Sequence, residues 1–317
     1  MQTQENWLDN SIEPFQKFEQ AHSNSIECLQ FNPSNQSELA TGSHDKLIKL
    51  WDVTKQKESS KFTGHKEGVW SISYSLDGKQ IFSGSPDKSI LVWDAKSGKN
   101  VSALKEHKNR IYWTEVSDNG LYLASGGQDG HLILWDLRKL KLIKDLQISM
   151  DIVYNINFSQ QSKYFFTGDS MGVIKAYDSQ KIEEISSTKP TQKNKCYAIQ
   201  SLKISEDNYK LFVASKNQSI SEYNFDGKKK ELTKANQSAV HCDSVHCLNF
   251  DKDKRRFATG ARDGAARVWQ TERKGAVYNP LYNLIGHKQR ITAIEFHGTG
   301  KMIATCSWDQ NIHLYKI

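Results

Sequence analysis

Short runs in which apolar and polar residues alternate, separated by turns bearing Gly, Asp and Ser, fill the chain from residue 15 to residue 317. Runs of this kind are half-buried β-strands, and the β-branched and aromatic residues that fill them suit a pleated surface. The most regular grouping is Leu-Ala-Thr-Gly-Ser-His-Asp-Lys-Leu-Ile-Lys-Leu-Trp-Asp at 39–52, which recurs at 81–94 and 123–136 and more loosely four further times. Trp51, Trp93, Trp135, Tyr177, Tyr223, Trp269 and Tyr315 hold the same place in each copy, at spacings of 42, 42, 42, 46, 46 and 46 residues. Within the second copy the pattern predicts strands at 69–74, 80–85, 89–93 and 101–105, with turns at 76–79 and 96–98. The wider spacing later in the chain comes from polar insertions near 186–194, 226–240 and 271–283. These are expected surface loops, the places where a rigid scaffold carries its specificity.

A period of about 42 residues ending in Trp-Asp is the repeat of a β-propeller blade. On these residues the chain resembles the WD-repeat family over nearly its whole length. The expected fold class is therefore all-β: one seven-bladed propeller over 15–317, preceded by a flexible polar arm at 1–14. The first unit carries a strand too many, at 15–20, and the last unit ends one strand short. The prediction is that 15–20, with Phe18, pairs alongside 312–315 and closes the ring, which leaves no seam of unpaired N–H and C=O groups.

Five units also carry a His and an Asp at near-constant separation: His22/Asp45, His65/Asp87, His107/Asp129, His241/Asp263 and His287/Asp309. Thr41, Ser83, Ser125, Thr259 or Thr305 lies four residues before each Asp, and the Trp or Tyr six after it. The resemblance implies a buried chain from indole to hydroxyl to imidazole to carboxylate, in which every polar group has a partner. Nucleophile, base and orienter are all present in kind. A set repeated five times, which the resemblance places between strands and away from a cleft, nevertheless reads as structural. The exceptions agree: Ser149 and Met171 fill the two positions in unit four, Lys195 and Asn217 in unit five, so His and Asp disappear together. These two blades are the expected least rigid part of the ring.

Composition excludes several classes. No apolar run approaches the ~18–20 residues of a membrane helix. An odd count of five cysteines, with no visible targeting segment, points to a reduced intracellular protein, cytoplasmic or nuclear. His241-Cys242 and His246-Cys247 resemble a metal cluster, but His241 already belongs to a repeated pair and adjacent strand residues face opposite ways. Core packing is the expectation for these cysteines, with no metal, no cofactor and no small-molecule substrate. Gly126–Gly130 lacks the Lys and following helix of a phosphate loop. No enzyme motif survives.

In WD-repeat rings, partners often meet the face onto which the residues three and five after each His, and the one before each Asp, look out. Carried across, those positions give Trp70, Arg110, Tyr112, Ile152, Tyr154, His246, Arg262, Arg290 and Trp308. Trp, Tyr and Arg dominate interface energetics, and Trp70, Tyr112 and Tyr154 should form one patch. Net charge is +7, and between 226 and 274 there are 12 Lys and Arg against 7 Asp and Glu. Lys228, Lys229, Lys230, Lys252, Lys254, Arg255, Arg256, Arg273 and Lys274 fall in turns that propeller topology places on the opposite face, in blades five and six. Such a patch suits phosphate or an acidic protein.

Pieces such as Ala124–Gly130 with Leu134-Trp135-Asp136-Leu137, and 151–159, resemble the Gβ-like receptor for activated C kinase, with the blades out of phase. Two functions follow as expectations. One is a non-catalytic scaffold that assembles a multiprotein complex. The other is a ribosome- or RNA-associated subunit that binds through the basic turns.

Overall fold

The computed structural model describes residues 10–188, 197–205, 210–272, 278 and 280–317. Seven sheets follow one another along the chain. Blade one, for example, is Ile26–Phe31, Glu38–Ser43, Leu47–Asp52 and Lys57–Thr63, paired antiparallel in sequence order. The first strand of each blade packs against the first strand of the next, and Ile291–Phe296 of blade seven packs against Ile26–Phe31 of blade one. The sheets therefore form a closed ring of seven blades about a central channel. Among the described residues there is no α-helix, only one 3-10 turn at Gln160–Ser162.

Blade seven takes its outer strand from the other end of the chain. Gln16–Phe18 runs antiparallel to Ile312–Lys316, with Phe18 opposite Ile312 and Gln16 opposite Leu314. Phe18 is buried, its ring 5.0 Å from that of Trp51 in blade one, so the clasp also pins the neighbouring blade. The arm expected to be free over 1–14 is not free at its described end. Ser11–Ile12 pairs in parallel with Pro280–Leu284 as a fifth strand on blade six. Asn283 N–H donates to the Asn10 carbonyl and Ile285 N–H to that of Ile12.

The core lies between blades. One layer, for instance, joins Ala124, Leu132 and Leu134 of blade three to Val153, Ile156 and Phe165 of blade four. Such contact needs the second strand to come close to the next blade, which explains the Gly after the repeated Thr or Ser. A Cβ on Gly126 would meet Val153 Cγ1 at 2.7 Å, and one on Gly260 would meet Ile291 Cγ2 at 2.5 Å. Outer strands stay wet: Lys141–Gln147 is exposed almost throughout.

First strands share one irregularity. In blades one and three to seven, the pairing with the second strand slips by one residue, at Glu27, Tyr112, Tyr154, Gln200, His246 and Thr292. In blade two the Trp70 N–H donates to the carbonyl of Gly84, which is also the partner of Ser71. A bulge turns its extra residue out of the pleat and re-aims the side chain. Here the bulge comes at the same end of every blade.

Blades four and five lack the regular His–Asp pair. In blade four Ser149 Oγ–H donates to Asp169, two residues before the expected site. In blade five Asn217 Oδ1 accepts from Ser215, Ser219 N–H and Ser219 Oγ, bonds confined to one turn. Lys195, the other expected position, lies outside the described residues. With fewer inter-strand ties, amides of Tyr164–Asp169 and Lys210–Ser215 are expected to exchange at least about tenfold faster than those of Gln80–Gly84. Equal protection by hydrogen-exchange mass spectrometry would contradict this.

Candidate functional site at the channel mouth

Each of the five His–Asp sets forms a continuous hydrogen-bonded chain. In blade one Trp51 Nε1–H donates to Thr41 Oγ1 (2.8 Å), which lies 2.8 Å from His22 Nε2, and His22 Nδ1 lies 2.9 Å from Asp45 Oδ2. The same run links Trp93, Ser83, His65 and Asp87, then Trp135, Ser125, His107 and Asp129, then Trp269, Thr259, His241 and Asp263. In blade seven His287 bonds Thr305 and Asp309, and Tyr315 donates instead to the Ile285 carbonyl. Each Asp also accepts the backbone N–H of the residue after its His, as Lys108 N–H to Asp129. Burial pushes the Asp129 carboxyl up. The His107 hydrogen bond and charge, with the His131 and Lys108 amides, outweigh it and hold the group at about 2. All five imidazoles are buried and both ring nitrogens are engaged, so these sets have no free base.

The bulges do build a site. Glu27, Trp70, Tyr112, Tyr154, Gln200, His246 and Thr292, one from each blade, ring a cavity of about 330 Å³ at the channel mouth. His44, Lys216 and Trp308, each from a second-to-third strand turn, complete its rim with Arg290. Trp70 lies 4.6 Å from Tyr112, and Tyr112 lies 5.1 Å from Tyr154, so the three half-buried rings form one wall across blades two to four. Opposite them, the Arg290 guanidinium lies 4.0 Å over the Trp308 ring. Trp308 Nε1–H donates to Glu27 (2.8 Å), which also holds His44 at 2.9 Å; that hydrogen bond raises the His44 pKa.

The floor is polar. His246 Nδ1 lies 3.1 Å from Gln200 Oε1, while His246 Nε2, Gln200 Nε2 and Arg290 Nε are buried with no partner. Burial, then the positive charges of Arg290 and Lys216, push His246 down to about 3, so it is neutral and its Nε2 is an acceptor. Below the mouth, Glu115, Lys203 and Glu295 face a narrower channel. Lys203 pairs with Glu115 at 3.4 Å. Desolvation pushes Glu295 up to about 8, against the attraction of Lys203.

Six of the nine rim residues expected from the sequence line this cavity. Arg110, Ile152 and Arg262 do not: Arg110 and Arg262 are exposed outside it, Arg262 3.9 Å from Asp243, and Ile152 accepts Ser170 N–H at its carbonyl. Glu27, His44, Gln200, Lys216 and Thr292 are not among the nine, although the same offsets in units one, five and seven point to them. The reason is residue type: neither Trp, Tyr nor Arg marks those positions.

Two of the expected basic-patch residues are tied up within the fold. On the opposite face, Arg256 is committed to Asp251 (2.9 Å) and to the Gly300 carbonyl of blade seven, and Lys254 to the Ile204 carbonyl. Lys228, Lys229, Lys230, Lys252 and Arg255 are exposed, and Arg273 and Lys274 lie outside the described residues. The groove beside Lys254 and Arg255, about 1010 Å³, is lined by Asp251, Asp253 and Glu272 as well. Meanwhile Lys66, Lys108 and Lys288, whose amides bond the repeated Asp, and Lys46 and Lys88, in the following turns, are exposed on the mouth side. These lysines come one per turn around the ring, so no run of sequence displays them.

Among the described residues no group of three or more His, Cys, Asp or Glu is placed to hold a metal. Cys247 packs in the core as expected, but Cys242 is exposed, because it lies in the loop before its strand.

The WD domain, G-beta repeat family matches residues 13–52, 56–94, 98–136, 236–270 and 278–316, more than half of the chain. The unmatched stretch covers blades four and five, the two without a regular His–Asp pair. Among curated relatives, the Arabidopsis thaliana protein called Non-functional target of rapamycin complex subunit LST8-2 is 37% identical over 68 residues, 22% of this chain and 21% of that one. WD40 repeat-containing protein HOS15 of the same plant is 47% identical over 50 residues, 16% of this chain and 8% of that one. Coronin-7 of Mus musculus is 35% identical over 60 residues, 19% and 6%. The chain thus spans about a fifth or less of the length of these relatives. Matched by one repeat over more than half its residues and folded as seven copies of it, this chain belongs to the WD domain, G-beta repeat family, whose propellers typically serve as scaffolds and adaptors.

Proposed function

We propose that the chain is a non-catalytic assembly platform within a larger protein complex, and that it holds a partner protein at the channel mouth. The observation that carries this reading is convergence: all seven bulges aim their side chain into one cavity with an aromatic wall and unpaired polar atoms on its floor. Similarity over 22% of the chain to a protein named Non-functional target of rapamycin complex subunit LST8-2 is a further, lesser support for membership of a complex. Truncating a central interface aromatic costs about 2 kcal/mol or more, roughly 30-fold in affinity. Partners that co-purify with the wild-type protein from its own cells are therefore expected to be lost from Trp70→Ala and Trp308→Ala variants of unchanged melting temperature. Full retention by both would remove the mouth from the account. A ribosome- or RNA-contacting role has weaker support, in the exposed Lys228–Lys230 turn and Arg255. It would show as salt-sensitive association abolished by charge reversal there and untouched by Trp70→Ala.

A further inference from the structure

We infer that the mouth takes an extended acidic peptide segment of the partner, one whose carboxylate side chain is followed by a large apolar residue seated on blade four. This rests on the mouth being the binding face, and it adds what the partner must look like.

Donors for the carboxylate gather on one side. Gln200 Nε2 and Arg290 Nε are buried donors without acceptors, and Lys216 stands beside them, its ammonium 5.9 Å from the Tyr154 ring. Polar groups buried unpaired are costly, so an acceptor that enters is rewarded. Glu27, the acidic member of the ring, is already occupied by His44 and Trp308. The exposed lysines of the rim add long-range attraction for an acidic segment. The neutral Nε2 of His246 is left to accept a peptide N–H.

The apolar half of the site comes from what blade four has lost. Where regular blades set Ser, Lys or Cys after the His, blade four has Met150, and where they carry the Asp it has Met171. Met150 is 95% exposed and Met171 47%. Ser149 Oγ–H and Met171 N–H both bond Asp169, and Ser170 N–H donates to the Ile152 carbonyl, so the two loops that carry these side chains are tied together. Met150, Met171 and Ile152 thus sit on two joined loops of blade four, next in sequence to the strand that carries Tyr154. Exposed methionines grouped at a polar rim mark an adaptable apolar contact, not a solvated face. A bare phosphate backbone would use the lysines and leave the methionines untouched, which favours a peptide over nucleic acid.

The test is selection of a displayed library of random linear peptides on the full chain, with elution reported at 50 and 500 mM salt. Enrichment of Asp or Glu next to Leu, Met or Phe is expected, with at least tenfold weaker binding to Lys216→Glu and at least fivefold weaker binding to Met150→Ser/Met171→Ser. Both methionines are solvent-exposed, so that variant stays folded. Binders that are basic, or indifferent to the methionine pair, overturn the inference yet spare the mouth if Trp70→Ala still abolishes binding. Binders indifferent to Trp70→Ala overturn both. No enrichment at all, or binding of an oligouridylate lost on Lys216→Glu while no peptide binds, also overturns the inference.

Discussion

Asp87→Ala is expected to destabilise the propeller by about 3–4 kcal/mol, a fall of roughly 5 °C in melting temperature for a chain of this size. Asp87 Oδ2 accepts from His65 Nδ1 (2.8 Å) and Lys66 N–H (2.9 Å), and Oδ1 accepts from the amide and hydroxyl of Ser89. The two amides can turn to water; His65 cannot. Its Nε2 is fixed on Ser83, which also accepts Trp93 Nε1–H, so removal of the carboxylate strands a buried donor and loosens the register of three strands together. Asn217→Ala in blade five removes bonds within one turn only and is expected to cost about 1 kcal/mol. Calorimetry that finds the two variants equally destabilised would refute a ring-wide role for the His–Asp sets. The pH dependence has a definite sign. Asp129 and Asp263 are held at about 2, below the ~3.9 of an unfolded Asp, so their stabilisation is complete above about pH 4 and lost as pH falls through 2. His246 and His313 act earlier. Burial, helped by Arg290 and by His287 respectively, pushes each down to about 3. The unfolded chain therefore takes up protons below about pH 6.5 that the fold refuses, and stability declines from there as pH falls.

The parts of this molecule that were readable in advance are those that each blade repeats. Trp51, Thr41, His22 and Asp45 recur because each group needs the other three, so their spacing survives as a visible period. The closing strand was readable by counting, one strand surplus at the start and one missing at the end. Other features have no local signature. Ser11–Ile12 is too short to alternate, and its partner Pro280–Leu284 lies on a blade it does not follow in sequence. Arg256 is paired with Asp251 within its own turn, but its second partner, the Gly300 carbonyl, comes from the next blade and has no local sign. The bulges are the instructive case. A one-residue slip changes no residue type, yet it decides that Gln200 and Glu27 face the mouth rather than a core. Three of the nine rim positions, Arg110, Ile152 and Arg262, lie outside the cavity lining. An offset from the His finds the right turn, but two residues before the bulge the outcome varies by blade: Arg290 reaches in and stacks on Trp308, whereas Arg110 and Ile152 do not line the cavity.

Loss of the clasp is expected to do more damage than any single tetrad. Phe18→Ala removes a buried ring from a cluster that contains Trp51, Leu39, Ile312 and Leu314, which costs about 3–5 kcal/mol as a cavity. Deletion of residues 1–18 goes further, because it also strips the pairing of Gln16–Phe18 and of Ser11–Ile12. The strand Ile312–Lys316 would then end blade seven with unpaired N–H and C=O groups beside Ile312 and Leu314, both fully buried in the intact ring. An open, apolar edge recruits another strand, and the nearest supply is a second copy of the same chain. The deletion variant is expected to melt more than about 10 °C below wild type and to elute as oligomers in size-exclusion chromatography, whereas Phe18→Ala, which keeps the backbone pairing, stays monomeric at a lower melting temperature. Should the deletion variant remain a monomer with wild-type stability, ring closure would not be what holds these seven sheets together, since packing between first strands alone would then suffice.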